Sequence, residues 1–121
     1  MAFTENMSTR TYVSGSAVAQ FTFVTLAADG QVDNTAANAR TDGVVLQAAT
    51  GANQAVTVAY DGRVTVQAGG TIARGAAVAV GTSGKAKAAA STNIIVGVAL
   101  EAGVDGQIIT IELSRADKAA A

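Results

Sequence analysis

The amino-acid sequence predicts an all-β fold, a small β-barrel or sandwich built from two similar β units, with a flexible N-terminal arm. Three observations lead to this prediction: closely spaced turn signals, short β-branched runs between the turns, and a segment whose pattern occurs a second time further along the chain. Helical signals are weak, because the Ala-rich stretches 35–40 and 87–91 are too short to form a stable helix alone.

Four Asp-Gly pairs and the pair Ser83-Gly84 are predicted to form turns along the chain. Glycine tolerates a positive φ, and an aspartate side chain can accept a hydrogen bond from the backbone further on, so such pairs favour tight turns. The pair Asp61-Gly62 stands between two strand-like runs, and the sequence therefore predicts a hairpin at residues 60–63. The five pairs are Asp29-Gly30, Asp42-Gly43, Asp61-Gly62, Ser83-Gly84 and Asp105-Gly106.

The intervals between these turns are rich in β-branched residues or alternate between apolar and polar, which predicts strands. In the last of them, Ile109, Ile111 and Leu113 share one face, so we expect this face to be buried. The predicted strands are residues 18–26, 44–46, 56–60, 64–66, 78–80, 94–100 and 108–113.

An internal repeat organises the chain. Residues 15–48 align with residues 69–102, with Gly43 on Gly97 and Gly30 on Gly84, and after a one-residue contraction 56–58 fall on 109–111. An Ala- and Gly-rich β sequence can match itself by chance, but matching glycines favour a true repeat because they mark fixed backbone geometry. The predicted organisation is an N-terminal arm (1–14), one β domain (15–114) with pseudo-repeats 15–58 and 69–111, and a C-terminal tail (115–121).

Composition excludes several classes of function. Charged residues make up 14% of the chain, against about 25% in ordinary soluble domains, and the net charge is -1. The basic residues are dispersed and aromatic residues are few, so we expect no direct contact with nucleic acid. The longest apolar run, 94–100, falls far short of the ~20 residues that a membrane helix needs, and the N-terminus lacks the pattern of a signal peptide. We therefore expect no membrane contact and assembly inside a cell.

The sequence offers no chemistry for catalysis. Histidine and cysteine are absent, which removes the usual activated nucleophiles, disulfides and most metal ligands. The Asp29 to Asn34 segment lacks the remaining ligands of a calcium loop, and residues 81–85 lack the first glycine and the Ser or Thr of a phosphate loop. We predict no enzyme activity, no catalytic residue, no metal and no cofactor.

Four segments carry a resemblance to a known family: residues 69–80, 84–86, 93–102 and 106–113, with 43–46 and 61–64 repeating part of the pattern. They resemble the capsid cement, or head decoration, proteins of tailed bacteriophages, and the resemblance covers most of residues 10–113. It implies a structural virion protein, made in the host cytoplasm, that binds the major capsid protein on the outer surface of the capsid. It also implies a homotrimer.

Residues of the arm are the candidates for capsid binding. Phe3, Tyr12 and Val13 are proposed because aromatic anchors often dominate interfaces. Two other interpretations stay open for this segment: an ordinary disordered start, or a strand added to a neighbouring subunit.

An alternative function is a carbohydrate- or receptor-binding module of a phage fibre or tail, which the 4% aromatic content disfavours. A third interpretation is a small hydrolase, which would need a pocket with two facing carboxylates.

Overall fold

Strands make up nearly all the regular structure of the chain. The computed structural model describes residues 5–28, 30–90 and 93–113, and its one helical turn in these residues is a 3-10 turn at Thr82–Gly84. The all-β prediction is confirmed. The strands are β1 (Glu5–Ser14), β2 (Phe23–Ala28), β3 (Gln31–Asn34), β4 (Gly43–Val45), β5 (Ala55–Gln67), β6 (Ala77–Val80), β7 (Ala86–Ala88), β8 (Gly97–Ala99) and β9 (Ile108–Leu113).

The first unit is a closed five-stranded barrel. Its strands follow the order β1-β3-β2-β4-β5, and β1 pairs with β5 to close the ring. The closing pair is antiparallel and runs from Thr9 opposite Ala59 to Val13 opposite Ala55, while β1 also pairs in parallel with β3. Closure gives every strand two partners and so leaves no open sheet edge in this unit.

The second unit has the same plan. It uses the second half of β5, followed in the sheet by β9, β8, β6 and β7. A parallel bridge between Ala68 and Ala86 brings β7 back to the end of β5. Under the repeat alignment, that bridge corresponds to the parallel pair Ser14 and Val32 of the first unit.

The repeat extends to individual contacts. The antiparallel bridge between Val18 and Ala49 recurs at the aligned positions of the second unit, between Ile72 and Gly103. The Phe21 amide donates a hydrogen bond to the Val45 carbonyl oxygen over 2.8 Å, and the aligned Gly75 amide donates to the Ala99 carbonyl oxygen over the same distance. Chance self-similarity does not account for such agreement. The prediction of two similar β units is confirmed.

The hairpin predicted at residues 60–63 is wrong. Strand β5 continues through the Asp61-Gly62 pair, and Gly62 adopts a φ of 96° without a turn. Opposite it, the pairing of β1 shifts register between Ser8 and Thr9, as at a β-bulge. The strand continues because it is the last strand of the first barrel and the first strand of the second unit.

Two hydrophobic clusters form the core. One fills the first barrel and includes Val24 and Val45; the other contains the interior of the second unit together with Phe23 and Val44 of the first. Successive strand residues point to opposite faces, so Phe23 and Val44 lie on the outer face of the first barrel. Both are fully buried, which shows that the second unit covers this outer face. In β9, the predicted apolar face is buried, and Thr110 is buried as well.

Residues 5–14, the described part of the predicted arm, form β1. The last residue of the strand is held closely: the Ser14 hydroxyl donates to the Gly51 carbonyl oxygen over 2.7 Å, and the Ser14 amide donates to the Gln54 carbonyl oxygen over 2.8 Å. Residues 1–4 and the predicted tail at 115–121 lie outside the described residues. The division of the chain at residues 14 and 114 stays a prediction.

A glycine at the same place in each unit permits close strand contact. A Cβ atom at Gly43 would stand 2.4 Å from the Ala59 carbonyl oxygen, and one at Gly97 would stand 2.6 Å from that of Glu112. We expect Gly43→Ala to lower the free energy of unfolding by about 1–3 kcal/mol, as overpacked sites do. Gly70→Ala is the control, because nothing lies within 4 Å of its Cβ position. Urea denaturation of both variants measures the difference, and equal midpoints would contradict the prediction.

Candidate functional site

The three proposed capsid-binding residues do not form one described site. Phe3 lies outside the described residues. Tyr12 is half-buried and packs against the core of the first barrel, so its ring is engaged within the domain. Val13 is 37% exposed, and its amide donates to the Gly30 carbonyl oxygen over 2.8 Å. Of the two described candidates, Val13 presents the larger exposed fraction to a partner.

Exposed apolar side chains mark two surfaces, one on each unit. We call Val13 and Leu26, with the Gly30 backbone that bonds to Val13, the first face. Val98 and Leu100, with the buried edge residue Leu113, are the second face. On the first face Leu26 is 43% exposed, although it lies two residues after the buried Val24 and so on the inner side of β2. This end of the first barrel is therefore open as far as the described residues show.

The second face surrounds an open depression of about 400 Å³. Val98 is 40% exposed and Leu100 36%, while Leu113 is 8% exposed at the edge. The Glu112 carboxylate also lines the depression, and its Oε1 atom lies 3.9 Å from Nε of Arg63. The lining is thus mainly apolar with one carboxylate. Such a surface suits contact with another protein better than it suits bond-making chemistry.

A second depression, of about 300 Å³, is polar. It lies beside the 3-10 turn, and its charged residues are Lys85, Lys87 and Asp105. One carboxylate beside two amines is not the pair of facing carboxylates that a small hydrolase would need. No aromatic side chain among the described residues lines this depression or the apolar one, so neither resembles a sugar-binding pocket.

The described part of the chain contains neither a metal-binding cluster nor a helix that could span a membrane. No three acidic residues there lie close enough together to hold a metal ion. No helix in residues 5–28, 30–90 and 93–113 has the length and apolar content needed to cross a membrane.

Comparison with known proteins finds a similar fold among solved structures. No protein-family model matches the sequence, and no curated protein matches it. A solved structure does match: the N-terminal base of the head fibre protein gp8.5 of bacteriophage phi29, with a TM-score of 0.76 and 22% sequence identity. The match covers 93% of this chain and 98% of that one. At this identity the likeness shows a shared fold.

The sequence carried a signal for the two faces that the strand pattern alone did not reveal. The repeat alignment pairs Leu26 with Val80 and Val44 with Val98. In each pair one residue is fully buried and the other is exposed. The exposed member of each pair therefore marks a candidate contact surface. The repeat identifies the pairs from sequence, but only the structure shows which member is exposed.

Proposed function

We propose that this protein is a non-enzymatic structural component of a phage virion. In this proposal it binds the major capsid protein on the outer surface of the head, stabilises the shell and acts as a homotrimer. The observation that carries the proposal is the fold shared over 93% of the chain with the base of a phage head fibre. The resemblance of residues 69–80 and 93–113 to capsid cement proteins supports the same role.

The physical demands of this role are modest and match the molecule. A protein that binds the mature shell more tightly than its precursor or its separated subunits stabilises that shell by mass action, without any chemical step. Repetition over an icosahedral surface multiplies weak contacts, because several copies joined in one oligomer bind with high effective concentration. Two exposed apolar faces on this small chain supply surface for joining copies into such an oligomer.

The alternative is a carbohydrate- or receptor-binding module of a fibre or tail. Sites of that kind usually place aromatic faces and converging polar groups in a pocket. The polar depression holds two lysines and one aspartate without an aromatic ring among the described residues, which favours the decoration role. A glycan array probed with the folded protein tests this alternative, and binding there would support it.

Occupancy on phage heads tests the proposal directly. Purified heads of the parent phage that lack this protein are mixed with it, and we expect cryo-electron microscopy to show added density on the outer surface, at local threefold positions. Protein that stays in the supernatant, or density confined to the tail, would overturn the decoration role.

The proposed capsid-binding role of Phe3 has its own test. If Phe3 is an anchor, Phe3→Ser should weaken binding to heads by about 30-fold, which corresponds to the ~2 kcal/mol of an interface hot spot. The control is Val104→Ser, which also removes an exposed apolar side chain, at a turn 52% exposed. Co-sedimentation at limiting protein concentration measures both affinities. Equal affinities for the two variants would remove Phe3 from the binding site.

A further inference from the structure

The contact between the two units of one chain supplies a template for a contact between chains. Across this internal contact, the Asn38 amide donates to the Val80 carbonyl oxygen over 2.9 Å, and the Gln67 amide donates to the Phe21 carbonyl oxygen over 2.8 Å. Apolar burial accompanies these bonds, because Phe23 and Val44 join the core cluster of the second unit. The outer face of the first barrel therefore covers one end of the second unit.

The outer face of the first barrel recurs in the second unit, where it is exposed. Val44 is fully buried, but Val98, its counterpart in the repeat, is 40% exposed. Leu46 packs against the core cluster, but its counterpart Leu100 is 36% exposed. The second face is thus the equivalent of a surface that the protein already buries against a copy of its own fold.

The covered end of the second unit recurs in the first barrel, and there it is open. Val80 is fully buried, whereas its counterpart Leu26 is 43% exposed. Gln67 lies at the internal contact, and Val13, its counterpart when the alignment is extended by two residues, is 37% exposed. Four of the six exposed large apolar residues in the described part of the chain are therefore counterparts of residues at the internal contact: Val13, Leu26, Val98 and Leu100.

We propose that the second face of one chain docks on the first face of another copy, in the way that the first barrel docks on the second unit within a chain. The contact is head-to-tail, because the two surfaces differ, and such contacts close into rings when the rotation fits. This inference deepens the homotrimer of the proposed function and rests on it. Leu26 of one copy then enters the depression between Val98 and Leu100 of the next.

Two residue differences between the units make this contact weaker than the internal one. Ala77 stands where the first barrel has Phe23, and the exposed Glu112 stands where it has the buried Ala59. The second face therefore buries less apolar surface and carries a carboxylate. An assembly held by such a surface is expected to dissociate on dilution, while each chain stays folded.

The chain's own tail is a poor occupant of the second face. Residues 114–121 follow Leu113 directly, but their sequence holds no valine, leucine, isoleucine or aromatic residue. A second copy, by contrast, offers the exposed side chain of Leu26. Apolar burial is the main favourable term in most protein association, so the second copy is the better match.

Single-cysteine variants test the direction of the contact, because the natural chain has no cysteine. Leu26→Cys is mixed with a size-tagged Leu100→Cys chain and treated with a short bis-maleimide. We expect a cross-linked product that joins the two chains. Its yield should be several-fold above that of a control mixture in which a size-tagged Val104→Cys chain takes the place of the Leu100→Cys chain. Circular dichroism confirms that each variant is folded. A yield equal to the control, or efficient linking of Leu100→Cys to itself, would overturn the head-to-tail contact.

Sedimentation of the unmodified protein separates this inference from the proposed function. We expect a trimer that dissociates on dilution, and Leu100→Asp should shift it to monomer at concentrations where the unmodified chain is assembled. A trimer whose mass Leu100→Asp does not change would overturn the docking surface and leave the trimer itself standing. A monomer at every concentration would overturn both the docking surface and the homotrimer, while capsid binding is judged separately by occupancy on heads.

Discussion

Replacing Phe23 with alanine is expected to lower the free energy of unfolding by about 3–5 kcal/mol, the range found for large aromatic truncations in cores. Phe23 has no exposed surface and is the largest of the fully buried side chains in the described residues. It belongs to the outer face of the first barrel and to the core cluster of the second unit, so its removal leaves a cavity between the two units. Chemical denaturation followed by circular dichroism measures the loss.

The control for Phe23→Ala is a truncation of an exposed apolar side chain. Val104→Ala removes an apolar side chain that is 52% exposed, and it should change stability by no more than about 0.5 kcal/mol, as surface substitutions do. A loss below about 1 kcal/mol for Phe23→Ala, close to the mean for all point substitutions, would show that the units do not depend on this ring. The natural alanine at position 77 marks the same place in the second unit, where no further unit covers it in the described part of the chain.

Residues with a strong local pattern made much of the fold predictable. The predicted bounds of strand β9 agree with the observed ones, because Ile109, Ile111 and Leu113 alternate with polar residues on a half-buried strand. The repeat was predictable because a glycine must stand where strands approach closely, and Gly43 and Gly97 both do so. A constraint on a single position, such as a close strand contact that requires glycine, can therefore be recognised in the sequence.

The pattern failed where tertiary pairing decides the structure. Strand β1 has the composition of a polar segment, and only its pairing with β5 and β3 makes it part of the barrel. Strands β3 and β7 contain a single β-branched residue between them, Val32, so no strand-like run marks them in the sequence. The Asp61-Gly62 pair has the composition of a turn but lies inside β5, because the strand belongs to both units. Local propensity is overridden in each case by the partner strand.

The candidate surfaces needed the structure for a related reason. Leu26 and Val80 are equivalent in sequence pattern, and the difference between them is whether another unit covers the barrel end. A sequence reports which side chains are apolar, but exposure depends on how the units pack. The predicted binding residue Val13 lies on the first face, whereas Tyr12, its neighbour, packs against the core of the first barrel.

Removal of residues 1–14 is expected to abolish cooperative folding of the first barrel. A flexible arm with capsid-binding residues, as the sequence predicts, could be removed with loss of capsid binding alone. The pairing of β1 with β3 and β5 leads to the opposite expectation. Strand β1 joins β3 to β5, so its loss opens the ring and exposes two strand edges. It also removes the Ser14 hydroxyl, which donates to the Gly51 carbonyl oxygen and accepts from the Gln54 amide over 3.1 Å.

The matched control is a chain that begins at Glu5 and so keeps all of β1. We expect this shorter truncation to unfold in one sharp transition near that of the full chain. The chain lacking 1–14 should show a broad or much earlier transition and aggregate through its open edges. Differential scanning calorimetry with size-exclusion chromatography compares the two.

The outcome of this comparison decides how the capsid-binding role of the segment can be measured. A chain lacking 1–14 that melts as sharply and as late as the full chain would show that the barrel holds together without β1. In that case residues 5–14 would be a separable arm. Head binding by the shortened chain would then test only whether the arm binds the capsid. If instead the barrel opens, the role is accessible only through single substitutions such as Phe3→Ser, because the same strand that contains Tyr12 and Val13 closes the fold.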